Sequence, residues 1–145
     1  MNRRIGKIAL VDSGFWIALL HERDDHHQDA LNKSETLRNL TYILPWPTLY
    51  ETLSTRLVRR PDLVRQFVDS FLKRPNATLW DDSPYRDSAL EKTLSHELIR
   101  KHPLSLVDNV LREMIADRNI RLNYLFTYNI RDFTDVCKRR NLELI

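Results

Sequence analysis

Asp12, Glu51, Asp108 and Asp132 are acids set at the edges of apolar runs. Asp12 stands between IALV and SGFWIALL, Glu51 follows PTLY, Asp108 lies within LSLVDNVL, and Asp132 comes just after LFTYNI. A carboxylate withdrawn from water is costly unless it is paired, capped or bound to a metal. Carboxylates brought into one cleft repel one another, so they bind protons more tightly or require a cation. Hard oxygen ligands, with a lone Cys137 and no well-spaced His pair, suit Mg²⁺ or Mn²⁺. A divalent ion held in this way can activate water and stabilise charge on a phosphodiester. Each acid also has a purely local explanation. Asp12 fits an N-cap, and Asp108 fits the third residue of a capping box begun by Ser105 in S-L-V-D. On a helix Asp108 shares a face with Leu111 and Ile115, a charge flanking a core stripe. Glu51 lies opposite Leu49 and Leu53, so periodicity leaves open whether it faces a cleft or solvent.

The elements that would position these acids alternate. KIALV (7–11) reads as a buried strand, followed by helices over 13–20 and about 26–40. TYILP (41–45) reads as a second strand, and after the Pro-Trp-Pro turn Leu49, Leu53 and Leu57 mark one helix over 48–59. Pro61 breaks it and starts PDLVRQFVDSFLK. NATLW (76–80) is a third strand, and Ser83-Pro84 opens a helix predicted to reach about Lys101, with Asp82 and Ser83 as its cap. A helix from about Ser105, the strand LNYLFT, the helix RDFTDVCKRR and a terminal strand LELI complete the chain. The alternation predicts an α/β sandwich with a mostly parallel sheet of four or five strands, residues 1–145 forming one domain. In such a sheet the carboxyl ends of the strands share one edge, where ligands bind near the reversal of strand order. All four acids fall at that edge.

Other clusters point less clearly to chemistry. His26-His27, beside Asp24, Asp25 and Asp29, lacks the spacing of four that puts two histidines on one helix face. WDDSP (80–84) suggests a phosphoacceptor of the receiver type, but the first strand offers only Asp12 and no Lys follows a fifth strand. Trp16, Trp46 and Trp80 adjoin apolar runs and are expected to pack in the core rather than stack on bases.

Four stretches, VDSGFWIALLHERDDHHQDA (11–30), PTLYETLSTRL (47–57), LSLVDNVLREMIAD (104–117) and FTYNIRDF (126–133), resemble in order and spacing the motif blocks of PIN-domain proteins, most closely VapC-like toxins of toxin–antitoxin pairs. The resemblance spans nearly the whole chain. It implies a PIN-like three-layer sandwich and a Mg²⁺-dependent (or Mn²⁺-dependent) endoribonuclease with Asp12, Glu51, Asp108 and Asp132 as its acidic site. Asp12, Asp108 and Asp132 would be the metal ligands, with Ser13 and Asn129 supporting. The last block leaves open whether Asp132 or Asn129 completes the metal site. The products implied are a 5′-phosphate and a 3′-hydroxyl. An antitoxin partner and a homodimer, with the apolar helices from Thr48 to Lys73 as a candidate interface, are also implied. A PIN-like module that holds RNA or protein without turning it over is the alternative from another class.

Composition sets the outer bounds. An apolar fraction of 42% with 30% charged residues and only two Gly describes a folded globular chain. Lys and Arg number 23 against 20 Asp and Glu, but the bases cluster at Arg3-Arg4, Arg59-Arg60, Lys73-Arg74 and Lys138-Arg139-Arg140. Such clustering suits a polyanionic partner, and Arg56, Arg59, Arg60 and Arg65 are the expected contacts to RNA phosphates. A lone cysteine excludes a disulfide framework, and the run at 8–20 is too short for a membrane span, so a cytoplasmic protein is expected.

Overall fold

The computed structural model describes residues 6–95 and 103–145. Its centre is a five-stranded parallel sheet of β1 (Ile8–Val11), β2 (Thr41–Pro45), β3 (Ala77–Trp80), β4 (Tyr124–Phe126) and β5 (Glu143–Leu144), in the order β3-β2-β1-β4-β5. Every adjacent pair is parallel, Leu10 lying level with Ile43 on one side and Leu125 on the other. Side chains alternate across this sheet. Ala9, Val11, Tyr42, Leu44 and Phe126 enter one apolar cluster, while Leu10, Ile43 and Leu125 enter the other. Burial on both faces explains why the strands read as unbroken apolar runs.

The first face is covered by α1 (Ser13–Leu20), α2 (His27–Arg38), α3 (Trp46–Thr52), α4 (Thr55–Val58) and α5 (Pro61–Phe67). Trp16 is its centre, edge-on to Phe67 at 5.2 Å and tilted against Phe71 at 5.1 Å. The second face carries α6 (Arg86–Leu94), α7 (Leu106–Ala116) and α8 (Ile130–Arg140), packed through Ala89, Val110, Leu111, Met114, Ile115, Phe133 and Val136. The chain winds from β1 to β2 to β3 over the first face, then crosses by the second face to β4 on the far side of β1. Strand order therefore reverses between β1 and β4.

Several boundaries differ from the periodicity. The helix predicted over 48–59 begins at Trp46, because Pro47 is tolerated in a first helical turn, and it breaks at Leu53-Ser54 into α3 and α4. The Thr52 hydroxyl donates back to the Thr48 carbonyl at 2.7 Å, a local bond that competes with helix continuation. PDLVRQFVDSFLK is α-helical only to Phe67, and Val68–Leu72 form a wider π turn that still seats Phe71 in the core. The helix after Ser83 starts as a 3₁₀ turn (Ser83–Tyr85), with Asp81 rather than Asp82 accepting from the Ser83 amide at 3.0 Å. Asp82 is instead buried against the Arg86 guanidinium, 2.9 Å away. Residues 96–102, the end predicted for that helix, lie outside the described residues. The stripe Leu49, Leu57, Leu63, Phe67 and Phe71 of the helices from Thr48 to Lys73 faces the core, while Tyr50 and Val58 are exposed.

The capping box at α7 is present in both halves. The Asp108 amide donates to Ser105 Oγ at 3.0 Å, and the Ser105 amide donates to Asp108 Oδ2 at 3.3 Å. Ser105→Ala is expected to lower stability by about 1 kcal/mol, read as a shift in urea midpoint without a change in slope.

Candidate active site

Asp12 follows β1 at the point where strand order reverses. Its backbone is extended (φ −80°, ψ 154°), which ends β1 and makes it the N-cap of α1. Its amide donates to the Phe126 carbonyl at 3.0 Å, carrying the β1–β4 ladder one residue further. The residue is 3% exposed. Oδ1 accepts from the Ser13 amide at 2.7 Å, and Oδ2 accepts from the Thr127 hydroxyl at 2.9 Å. Burial raises the Asp12 carboxyl pKa to about 6; the Thr127 and Ser13 bonds oppose this, and repulsion from Asp108 and Glu51 adds to it. Sequence reasoning does not reach Thr127. The one signal it carries there is a hydroxyl residue directly after the apolar strand YLF.

Glu51 reaches this site from α3. The Ser13 hydroxyl donates to Glu51 Oε1 at 3.0 Å, so Asp12, Ser13 and Glu51 form one hydrogen-bonded series. Burial, and then repulsion from Asp108, raises the Glu51 pKa, while the Ser13 bond lowers it. Glu51 thus meets the Ser13 hydroxyl while remaining exposed. Asp108, in the first turn of α7, is the charge felt by both other acids while its own carboxylate closes the capping box. Asp108 thus closes the capping box and also lies close enough to raise the pKa values of Asp12 and Glu51.

Asp132 and Asn129 sit at the start of α8. Asn129 is exposed and caps the helix without a side-chain bond, its amide donating to Thr127 Oγ1 at 3.0 Å. Asp132 is half-buried in the first turn, where a helix dipole favours an acid. Arg112 from α7 binds the Asp132 carbonyl at 2.6 Å and grips both oxygens of Asp135 at 2.6 and 2.7 Å. Asp132 helps to keep that guanidinium charged.

The other candidates divide. Arg56, Arg59, Arg60 and Arg65 are all exposed on α4 and α5 or the turn between them. Arg140 is spent on structure, donating to the carbonyls of Ile115, Asp117 and Ile120 at 3.0 Å. His27 binds the Ala18 carbonyl at 2.8 Å and His26 stacks on Tyr128 at 4.1 Å, so both rings pack rather than ligate. Trp16 is wholly buried, as expected, and Trp80 is half-buried against the second cluster. Trp46 departs from expectation: it is 41% exposed at the first turn of α3, beside Tyr50.

The donor chemistry of Asp12, Glu51 and Asp108 fits a hard divalent cation, which would offset the burial and the lesser mutual repulsion that raise two of their pKa values. As the side chains stand, their oxygens are held by Ser13, Thr127 and Ser105. Among the described residues no three His, Cys, Asp or Glu side chains are arranged to hold a metal ion.

No protein-family model matches the chain, and no curated protein matches it. The fold is that of known structures. VapC20 of Mycobacterium tuberculosis, a sarcin-ricin loop cleaving toxin, matches with a TM-score of 0.67 at 18% identity, covering 88% of this chain and 94% of that one. A chain of VapBC2 from Rickettsia felis, bound to a DNA fragment from their promoter, matches with a TM-score of 0.58 at 15% identity, covering 95% and 97%. These likenesses establish a PIN-like α/β sandwich, in agreement with the fold expected from the motif blocks.

The raised Asp12 pKa has a definite sign in stability. Between the ordinary carboxylate value and about 6 the folded state holds more protons at Asp12 than the unfolded state, so this group's contribution is full at acid pH and is lost as pH rises through about 6. Asp12→Asn keeps a competent N-cap and removes the titration. The variant should match wild type near the ordinary carboxylate pKa and exceed it by on the order of 2–3 kcal/mol well above pH 6. Paired urea titrations across that window measure the difference; a constant offset at every pH would refute it.

Proposed function

We propose that the chain is a metal-dependent endoribonuclease that hydrolyses RNA phosphodiester bonds, acting as the toxin of a type II toxin–antitoxin pair. The observation that carries this reading is the Asp12–Ser13–Glu51 series facing Asp108 at the reversal of a PIN-like sheet. VapC20, similar in fold, is a sarcin-ricin loop cleaving toxin, and the likeness to VapBC2 supports an antitoxin partner. Asp12 and Asp108 would hold Mg²⁺ or Mn²⁺, joined by Asp132 from α8. A divalent ion there supplies a more acidic water and charge stabilisation at the phosphodiester.

The chain's own residues do the rest. Thr127 and the Ser13 amide orient Asp12 and keep both its oxygens in place before any ligand arrives. The Ser13 hydroxyl fixes Glu51 at the exposed rim. A raised proton affinity at Glu51 is the direction that suits a group exchanging a proton with water near the scissile phosphate. Asn129, exposed at the same edge, would hydrogen-bond a phosphate oxygen. The expected homodimer would draw on the exposed apolar residues of the helices from Thr48 to Lys73, Tyr50 and Val58 among them. No helix among the described residues is long and apolar enough to cross a membrane, and a cytoplasmic location is part of this proposal.

Purified protein should cut single-stranded RNA with Mg²⁺ or Mn²⁺, leaving 5′-phosphates, and should stop on chelation. Retention of RNA without cleavage at any metal concentration would favour the binding module. The ion should also raise the melting temperature of wild type but not of Asp12→Asn.

A separate pair of variants apportions the last block. Asp132→Asn should lower turnover at least tenfold, about 1.4 kcal/mol of transition-state stabilisation, with partial rescue by excess Mn²⁺. Asn129→Ala should reduce cleavage without changing the metal concentration required. The reverse pattern would leave Asp132 as a helix-terminal acid alone.

A further inference from the structure

At the far end of α1 from Asp12 lies a second, basic cavity of about 420 Å³. It is lined by His21, Arg23, Arg56 and Arg60, with Glu22 as its one acid and Leu20 and Leu63 as apolar wall. Arg60 is partly committed to Asp62, 3.0 Å away. Among the described residues no carboxylate or hydrogen-bond acceptor pairs with the guanidinium of Arg23 or of Arg56. Three elements supply these groups: the end of α1 with its following turn, α4, and the turn into α5.

The field inside the cavity can be read at His21. Burial lowers its pKa first, and the Arg56 guanidinium lowers it further, acting more strongly than Asp24 does in the opposite direction. Arg60 adds to the effect. With Arg23, Arg56 and Arg60 against Glu22, the lining carries more positive than negative charge. Forked guanidinium donors beside an apolar wall suit a phosphate, which accepts in two directions and gains from the lower local dielectric.

We propose that this cavity binds one backbone phosphate of the RNA substrate, anchoring the strand along α1 at a set distance from the acidic site. The proposal rests on the ribonuclease reading for the identity of the strand. The eight residues of α1, at about 1.5 Å each, place the cavity roughly 12 Å from the Asp12 end of the helix. An anchor there carries no base information; it fixes the register in which the strand crosses the carboxylates.

The first test uses inorganic phosphate as the probe and the His21 ring resonances as the reporter, at constant ionic strength. Phosphate should produce a saturable shift and raise the His21 titration midpoint, and Arg23→Gln/Arg56→Gln should weaken that binding at least tenfold. A shift reproduced by chloride, or one retained in the double variant, overturns the proposal. The second test uses a short single-stranded RNA on Asp108→Asn protein. Adding Arg23→Gln/Arg56→Gln should weaken binding and reduce the salt slope by about 0.7, the value for one phosphate of a single strand, while the same two substitutions made in wild type should leave its metal-induced melting shift unaltered. Saturable phosphate binding with unchanged RNA affinity would assign the cavity to another anion and also overturns the proposal. If wild type fails to cut RNA while both tests succeed, the catalytic reading falls and the anchor stands.

Discussion

The Asp12 carboxylate is held from two sides, by the amide of its neighbour Ser13 and by the Thr127 hydroxyl 115 residues away. That pairing makes a buried charge tolerable where β1 and β4 part. An unpartnered carboxylate at 3% exposure would cost several kcal/mol, and charge-assisted hydrogen bonds recover part of this. What they leave uncompensated appears as a pKa near 6. The other groups of the site are placed relative to this point: Ser13 passes the contact to Glu51, and Thr127 also receives the Asn129 amide that begins α8.

Asp12, Asp108 and Asp132 coincide with helix beginnings for an electrostatic reason. The strands are parallel, so each following helix presents its positive end at the same sheet edge. Acids are favoured there before any ligand is considered. Asp108 serves as a capping-box carboxylate and at the same time presses on Asp12 and Glu51. Asp12 and Asp108 are each locally useful as caps, whereas Glu51, near the C-terminal end of α3, is held only by the distant Ser13 hydroxyl. Burial and the residual repulsion together cost the fold some stability at neutral pH.

The basic residues sort by a similar logic. Arg140 and Arg112 are drawn inward by carbonyls and by Asp135, tying α8 to α7. Arg23 and Arg56 keep their donors toward an open cavity. Composition records both kinds as positive charge, and only position separates structural cations from those free to meet a polyanion.

The sequence alone carried the alternation of strands and helices, the acids at the strand ends and the capping box at Ser105, because these depend on periodicities of two and 3.6 and on contacts three residues apart. It also carried the PIN-like fold through its motif blocks. It did not carry the break at Leu53-Ser54 or the π turn at Val68–Leu72, where core packing and a Thr52 back-bond override helix propensity. Nor did it carry the exposure of Trp46, since an aromatic residue beside an apolar run reads as core until the neighbouring elements are placed. Glu51 shows the division most clearly. Its wheel position is neutral between cleft and solvent, and only the packing of α3 beside α1 brings it to the Ser13 hydroxyl. Thr127 and Arg112 become meaningful for the same reason: their partners lie far away in sequence, and only the crossing of β4 to the far side of β1 brings those partners within hydrogen-bond reach.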